Sequence, residues 1–233
     1  MTFDIATARQ IATIYSEDKD FEKGLTESFA QTCFFLADNP ECISWKGKNM
    51  PSIDTEDGLT ILAERYFSSY RKSDFPADPN TIPDEMVSIV MQKAYEYSSE
   101  QCEQIKIDHQ HSMCAENCVG ALLERYIDSV LRPQDWHWCC GNFVKAIDFI
   151  KKTDNGIWIP VQIKNRNNTE NSSSSAIRNG TIIQKWFRSF SKKKTTNWAK
   201  LPELMQGYEL IEQGFTDFVT DYLVAEKIRR QQK

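Results

Sequence analysis

Long apolar runs are missing from this chain of 233 residues. No stretch approaches the roughly 20 consecutive apolar residues that cross a bilayer. The first residues, Met1 to Asp4, also lack the basic segment and apolar core of a secretory signal peptide. We therefore expect a soluble protein of the cytoplasm with no membrane partner.

Patterns that mark common cofactor sites are equally scarce. The chain has no Walker loop, no dinucleotide-binding fingerprint and no internal repeat. Its seven cysteines are an odd number, which indicates reduced thiols when no signal peptide is present. Cys114 and Cys118 lie near His109 and His111, but this spacing is not that of a standard zinc finger, so ordinary thiols are favoured.

The net charge of −5 would argue against a nucleic-acid partner, but the charge is unevenly distributed. Residues 1–113 hold 10 Lys and Arg against 20 Asp and Glu, whereas residues 141–200 hold 12 against 3. Polyanion binding depends on local charge, because each phosphate contact releases counterions. The basic segment therefore indicates a polyanion-binding surface, with an unevenly charged, solvated surface as the alternative.

Apolar residues at helical spacing dominate the acidic first half of the chain. Residues 1–39 look helical up to Asn39-Pro40, and Met86, Val90, Ala94 and Tyr97 predict a further helix after Pro83. We interpret these stripes as core packing. Residues 1–113 are then a helical subdomain, with dimer contacts or contacts to flanking DNA as its two candidate roles. Residues 114–131 form the clearest helix of the next region.

The segment from Phe143 to Lys164 predicts a β-hairpin. Both of its arms are rich in β-branched and aromatic residues, and Asp154-Asn155-Gly156 between them suits a tight turn. Alternation along the second arm places Gln162 and Lys164 on one face, while Asp148 stands inside the apolar first arm. A buried Asp is costly unless it is paired or binds a metal.

These three side chains suit a divalent cation. Asp148 offers a charged oxygen and Gln162 a neutral amide oxygen, while Lys164 places positive charge near an attacking water. Mg²⁺ prefers few protein oxygens and keeps several waters. The arrangement predicts metal-assisted hydrolysis, in which the metal and Lys164 offset charge on a phosphorane-like transition state.

Asp148 followed by Gln162-Ile163-Lys164 resembles the PD-(D/E)xK nuclease motif, with Gln in place of the second acid. Together with several flanking motifs, it resembles the SinI/AvaII type II restriction endonucleases, which read GGWCC. The most specific of those motifs is the run of Asn, Thr, Glu and four serines. The flanking motifs are Leu122–Tyr126, Trp136–Cys139, Val144–Phe149, Gln162–Arg166, Asn168–Arg178 and Lys185–Arg188.

The resemblance covers roughly Cys118 to Phe190 and implies a fold as well as a function. It implies an α/β core with a mixed sheet flanked by helices over residues 114–233, and Mg²⁺-dependent hydrolysis of DNA by a homodimer. It also implies a methyltransferase that protects host DNA. In PD-(D/E)xK nucleases a helix before the first strand often supplies a metal-binding Glu, which makes Glu124 a candidate; a surface Glu paired with Arg is the alternative.

Residues 165–181 follow the predicted catalytic Lys164 and form the predicted DNA-recognition segment. Arg can read guanine bidentately in the major groove, Asn can pair with adenine or phosphate, and Ser hydroxyls hold phosphates. A flexible, solvated loop is the compositional alternative. The predicted DNA contacts here and just beyond are Asn165, Arg166, Asn168, Asn171, Ser172, Ser173, Ser174, Ser175, Arg178, Lys185 and Arg188.

Two other functions compete with the nuclease. A degenerate nuclease fold could bind DNA without cutting it, although binding alone needs neither Asp148 nor Lys164. A helical protein-interaction factor built on the acidic half is the third hypothesis.

Overall fold

The computed structural model describes residues 3–16, 22–167 and 182–232. Within them, helices flank a four-stranded mixed sheet of order β1-β2-β3-β4, which confirms the predicted α/β class. No helix among the described residues is long and apolar enough to span a membrane. The helices are α1 (Ile5–Tyr15), α2 (Leu25–Asp38), α3 (Glu56–Arg71), α4 (Glu85–Tyr95), α5 (Ser99–Leu131) and α6 (Glu212–Gln231), and the strands are β1 (His137–Trp138), β2 (Phe149–Lys152), β3 (Trp158–Asn167) and β4 (Gln184–Phe190).

The first three helices begin and end where local chemistry favours it. The Asp4 carboxylate caps α1, and the Thr55 hydroxyl caps α3 by accepting from the Gly58 N–H. Helix α2 ends at Asp38, just before Asn39-Pro40, as predicted. Helix α1 packs against α2 and α3, and α2 reaches the sheet, where the rings of Phe34 and Phe35 meet Trp158 edge-on.

Helices α4 and α5 correct two predictions. The α4 stripe was expected in the core, but Met86 is 59% exposed and Val90 is 56% exposed, and Met91 is the buried residue of this helix. Helix α5 also begins at Ser99, 15 residues before the predicted start, with a Ser98–Gln101 capping box. Spacing identifies an apolar face correctly but cannot tell which partner covers it.

The β-hairpin is confirmed, but its first arm is shorter than predicted. Strand β2 begins only at Phe149, because residues 143–145 pair with residues 42–44 instead: the Lys145 N–H donates to the Cys42 carbonyl (2.7 Å) and the Ser44 N–H to the Phe143 carbonyl (2.8 Å). Ala146 then takes a positive φ of 57°. The prediction that Asp148 stands inside an extended first arm is therefore wrong, because the chain before Phe149 does not continue the strand.

The four strands, all from the second half of the chain, lie side by side in the sheet in the order in which they occur in the sequence. Strand β3 pairs antiparallel with β2 over Trp158–Val161 and parallel with β4 over Val161–Asn167, so it lies between them in the sheet, and its residues are buried from Pro160 to Ile163. Pro160 lies just before the first β3–β4 pair and faces Ile150 of β2. A proline is tolerated there because β4 does not yet need its missing N–H.

One hydrophobic cluster joins residues from α1, α2 and α3 to residues from α5 and the sheet. The predicted division into 1–113 and 114–233 stays a prediction, but its boundary lies inside the continuous helix α5. Polar contacts cross the same boundary: the Tyr66 hydroxyl donates to the Trp138 carbonyl (3.1 Å). The N-terminal helices thus support the sheet directly.

Candidate active site

Asp148 lies immediately before β2 and is fixed by its own backbone and side chain. Its N–H donates to the Val161 carbonyl (2.9 Å), and its carbonyl accepts from the Cys139 N–H (2.8 Å). Its Oδ2 accepts from the Ile163 N–H of β3 at 2.6 Å. Because Val161 also faces Phe149 in the sheet register, two successive residues oppose one, as in a β-bulge, a feature that re-aims side chains.

Glu124 projects from α5 toward the same place. Its Oε2 accepts a hydrogen bond from the Trp138 indole N–H at 3.0 Å. Loss of hydration raises the pKa of Glu124 above its ordinary value, and the negative charge of Asp148 raises it further. Desolvation likewise raises the pKa of Asp148, while the Ile163 N–H and the Lys164 charge oppose that rise. The alternative of an Arg-paired surface Glu does not describe Glu124, which is half-buried beside Trp138.

Strand β3 contributes the remaining predicted residues. Gln162 is buried, with 3% of its surface exposed, whereas Lys164 is exposed. They are two residues apart in a strand and therefore point to the same face. The charge of Lys164 acts on both Glu124 and Asp148, so these three charged groups are electrostatic neighbours.

The donor set fits a hard divalent cation. Two half-buried carboxyls that are poorly hydrated, one raising the pKa of the other, form a site where a cation would offset unfavourable charge. Within the described ranges, no group of three His, Cys, Asp or Glu side chains is arranged to hold a metal. Two carboxylates, a neutral amide at Gln162 and retained waters are nevertheless what Mg²⁺ accepts.

The predicted DNA-contacting residues that can be described lie on β3 and β4. Arg166 is exposed and pairs with Glu116 of α5 at 3.0 Å. Arg188 is held inside the protein: it donates to the Asn165 Oδ1 (3.0 Å) and pairs with Glu212 of α6 (2.5 Å). Lys185 is exposed. The predicted contacts Asn168, Asn171, Ser172, Ser173, Ser174, Ser175 and Arg178 lie outside the described residues.

A cavity of about 410 Å³ opens beside these strands. Its lining is rich in cations from β3, β4 and the loop that follows β4, with Glu116 on its rim. The lining residues are Glu116, Asn165, Arg166, Arg188, Ser189, Phe190, Lys193, Lys194, Thr195 and Thr196. The Lys193–Thr196 loop therefore borders the same cavity as Arg166.

Two contributors to the site were not predicted as site residues. The Trp138 indole contacts Glu124 and the Cys139 N–H contacts Asp148, yet the two-residue strand β1 that ends at Trp138 is too short to show periodicity. His137 is buried, with its Nδ1 3.2 Å from the Ser28 hydroxyl. Burial lowers the pKa of His137 to about 4.

Comparison with known proteins extends the similarity well beyond the segment recognised by its motifs. The sequence model of the family described as SinI restriction endonuclease matches residues 8–225. The chain is 44% identical over 203 residues to the type II restriction enzyme Eco47I of Escherichia coli, covering 86% of this chain and 88% of that protein. It is 42% identical over 202 residues to the type II restriction enzyme SinI of Salmonella infantis, covering 85% and 87%.

Proposed function

Because the chain belongs to the SinI restriction endonuclease family, we propose that it cuts both strands of DNA at GGWCC by Mg²⁺-dependent hydrolysis. As a type II restriction endonuclease it is a site-specific deoxyribonuclease. The proposal covers the target sequence GGWCC, the metal Mg²⁺ and the number of subunits. The observation that carries it is the meeting of Glu124, Asp148 and Lys164 at one place.

Each of these residues has a role set by its position. Asp148 and Glu124 would hold the cation, and the Gln162 amide would be a neutral third ligand. Mg²⁺ bound there would supply positive charge against the phosphate in the transition state. The Lys164 side chain is exposed. Its ammonium orients the attacking water and offsets the same developing charge. Hydrolysis by direct water attack needs no covalent intermediate with the protein.

DNA recognition is assigned to β3, β4 and the segment between them. Asn165, Arg166, Lys185 and Arg188 border or neighbour the basic cavity, and Lys193 and Lys194 add charge to its rim. Arg166 is the stronger candidate for a base or phosphate contact, because it is exposed and pairs with Glu116 at the surface. The Arg188 guanidinium already donates to Asn165 and pairs with Glu212. Asn168, Asn171, Ser172, Ser173, Ser174, Ser175 and Arg178 complete the proposed recognition segment.

A homodimer follows from double-strand cutting, since each chain brings one Glu124–Asp148–Lys164 site and two strands must be cut. A near-palindromic target also fits a two-fold protein. The proposed contact with a second copy is the exposed apolar surface of the α4–α5 hairpin, because a large exposed apolar patch marks an interaction surface. This surface contains Met86, Val87, Ile89, Val90, Ile105, Ile107 and Met113.

Sedimentation tests that contact. Met86→Asp combined with Val90→Asp should halve the mass of the particle in solution, whereas Ile14→Asp changes an even more exposed apolar residue elsewhere and should leave it unchanged. A wild-type protein that sediments as a monomer with and without DNA would contradict the dimer.

Digestion tests the proposal as a whole. Plasmid DNA with Mg²⁺ should give discrete fragments with wild type, with ends that map to GGWCC, and none with Asp148→Ala or Lys164→Ala. A cognate methyltransferase, the proposed functional partner in the cytoplasm, should protect the same DNA. Fragments that end at other sequences would refute the target. Plasmid that is shifted on a gel but never cut by wild type would favour a DNA-binding protein without catalysis.

A further inference from the structure

Two consecutive residues, Trp138 and Cys139, contact the two acidic residues of the candidate metal site. The Trp138 indole Nε1 donates to the Glu124 Oε2 at 3.0 Å. Cys139, which directly follows β1, donates its backbone N–H to the backbone carbonyl of Asp148 at 2.8 Å. One short segment therefore contacts both the residue that brings an acid from α5 and the residue that brings an acid to the sheet.

The Trp138 ring is itself held rigidly. It is 6% exposed, and it meets the Tyr70 ring edge-on with centroids 5.8 Å apart. The Arg125 guanidinium lies 5.4 Å from the ring centroid. The Trp138 carbonyl accepts from the Tyr66 hydroxyl, and its strand pairs with Phe149 of β2. The indole thus has little freedom to rotate away from Glu124.

We propose that Trp138 is a positioning residue for metal binding, whose indole N–H fixes the Glu124 carboxylate so that its second oxygen faces the cation beside Asp148. This inference rests on the proposed function. An indole N–H can only donate, and the Glu124 Oε2 is its acceptor. Outer partners that orient a ligand typically change metal affinity 10- to 100-fold when removed.

The chain offers a matched control. Trp158 is 7% exposed and begins β3, and its indole Nε1 donates at 2.8 Å to the Oδ2 of Asp38, a carboxylate at the end of α2 that is not a candidate metal ligand. Trp138→Phe and Trp158→Phe each remove one indole donor to one carboxylate while keeping an aromatic ring. A loss of packing alone should affect both variants in the same way.

The test compares how both variants and the wild type depend on Mg²⁺. In Trp138→Phe the Mg²⁺ concentration for half-maximal cleavage should rise about tenfold or more, with little change in rate at saturating Mg²⁺. Without DNA, the Mg²⁺-induced rise in melting temperature should shift to higher concentration by the same factor. Trp158→Phe should match wild type in both measurements.

A second substitution removes packing differences. Benzothienyl-alanine at position 138 replaces only the indole N–H by sulfur, and it should shift the Mg²⁺ dependence as Trp138→Phe does. Equal Mg²⁺ dependence of wild type and this variant would overturn the role of Trp138. A wild type that neither cuts DNA nor responds to Mg²⁺ would instead refute the proposed function, so the two failures are distinguishable.

Discussion

Replacing Glu124 with Gln should stabilise the metal-free protein at pH 8 while impairing cleavage. Desolvation and the nearby Asp148 raise the pKa of Glu124 above its ordinary 4.5. An acid with a raised folded pKa stabilises the fold fully below its unfolded pKa, and this contribution is lost as the pH rises through the folded pKa. Each pH unit between the two pKa values corresponds to about 1.4 kcal/mol.

The amide cannot ionise, yet its oxygen can still accept from the Trp138 indole. We therefore expect E124Q to gain on the order of 2 kcal/mol in free energy of unfolding at pH 8, and much less at pH 5. Urea denaturation in EDTA at both pH values measures this directly. E116Q is the control, because Glu116 is an exposed acid on the same helix.

The pH dependence of the stability gain shows whether the charge of Glu124 is its cause. A gain of the same size at both pH values would mean that the charge of Glu124 is not responsible. A loss of stability at pH 8 would mean that the ionised carboxylate makes a favourable contact in the metal-free protein. Added Mg²⁺ should stabilise wild type by binding the folded state, and should stabilise E124Q less.

Three further changes probe the surroundings of the site. Arg132→Met should destabilise the fold by about 3–5 kcal/mol, since it strands the buried Asp128 without its ion pair; a loss below about 1 kcal/mol in urea melts would contradict this. Glu116→Gln frees Arg166 from an exposed pair worth about 0.2–1 kcal/mol, so DNA should bind up to about fivefold more tightly at low salt, and unchanged binding would argue against Arg166 as a contact. Gly58→Ala should lower the melting temperature, because a Cβ there would lie 1.9 Å from the Ser52 carbonyl oxygen, and an unchanged melting curve would contradict that crowding.

Features set by neighbouring residues were predictable from the sequence. The Asp154–Gly156 turn and the helix stop at Asn39-Pro40 depend on backbone preferences that act over a few residues. The resemblance pointed to Glu124, which no local pattern would distinguish from other acids on α5. Periodicity also placed Gln162 and Lys164 on one face of β3.

Features set by distant partners were not predictable. A run of β-forming residues suggested a strand from Phe143 onward, but hydrogen bonds to residues 42–44 divert it. The apolar stripe of α4 looked like core because spacing alone cannot show that its face stays exposed. The contact of Trp138 with Glu124 was not predictable either, because that hydrogen bond depends on how α5 packs beside β1.

The central claim is that the carboxylates of Glu124 and Asp148 share one divalent cation near Lys164. An anomalous difference map from crystals of the wild-type protein grown with Mn²⁺ tests it most directly. We predict a single strong peak within coordination distance of both carboxylates, which disappears in Asp148→Ala. A peak at another place, or a peak at this place that persists in Asp148→Ala, would contradict the account.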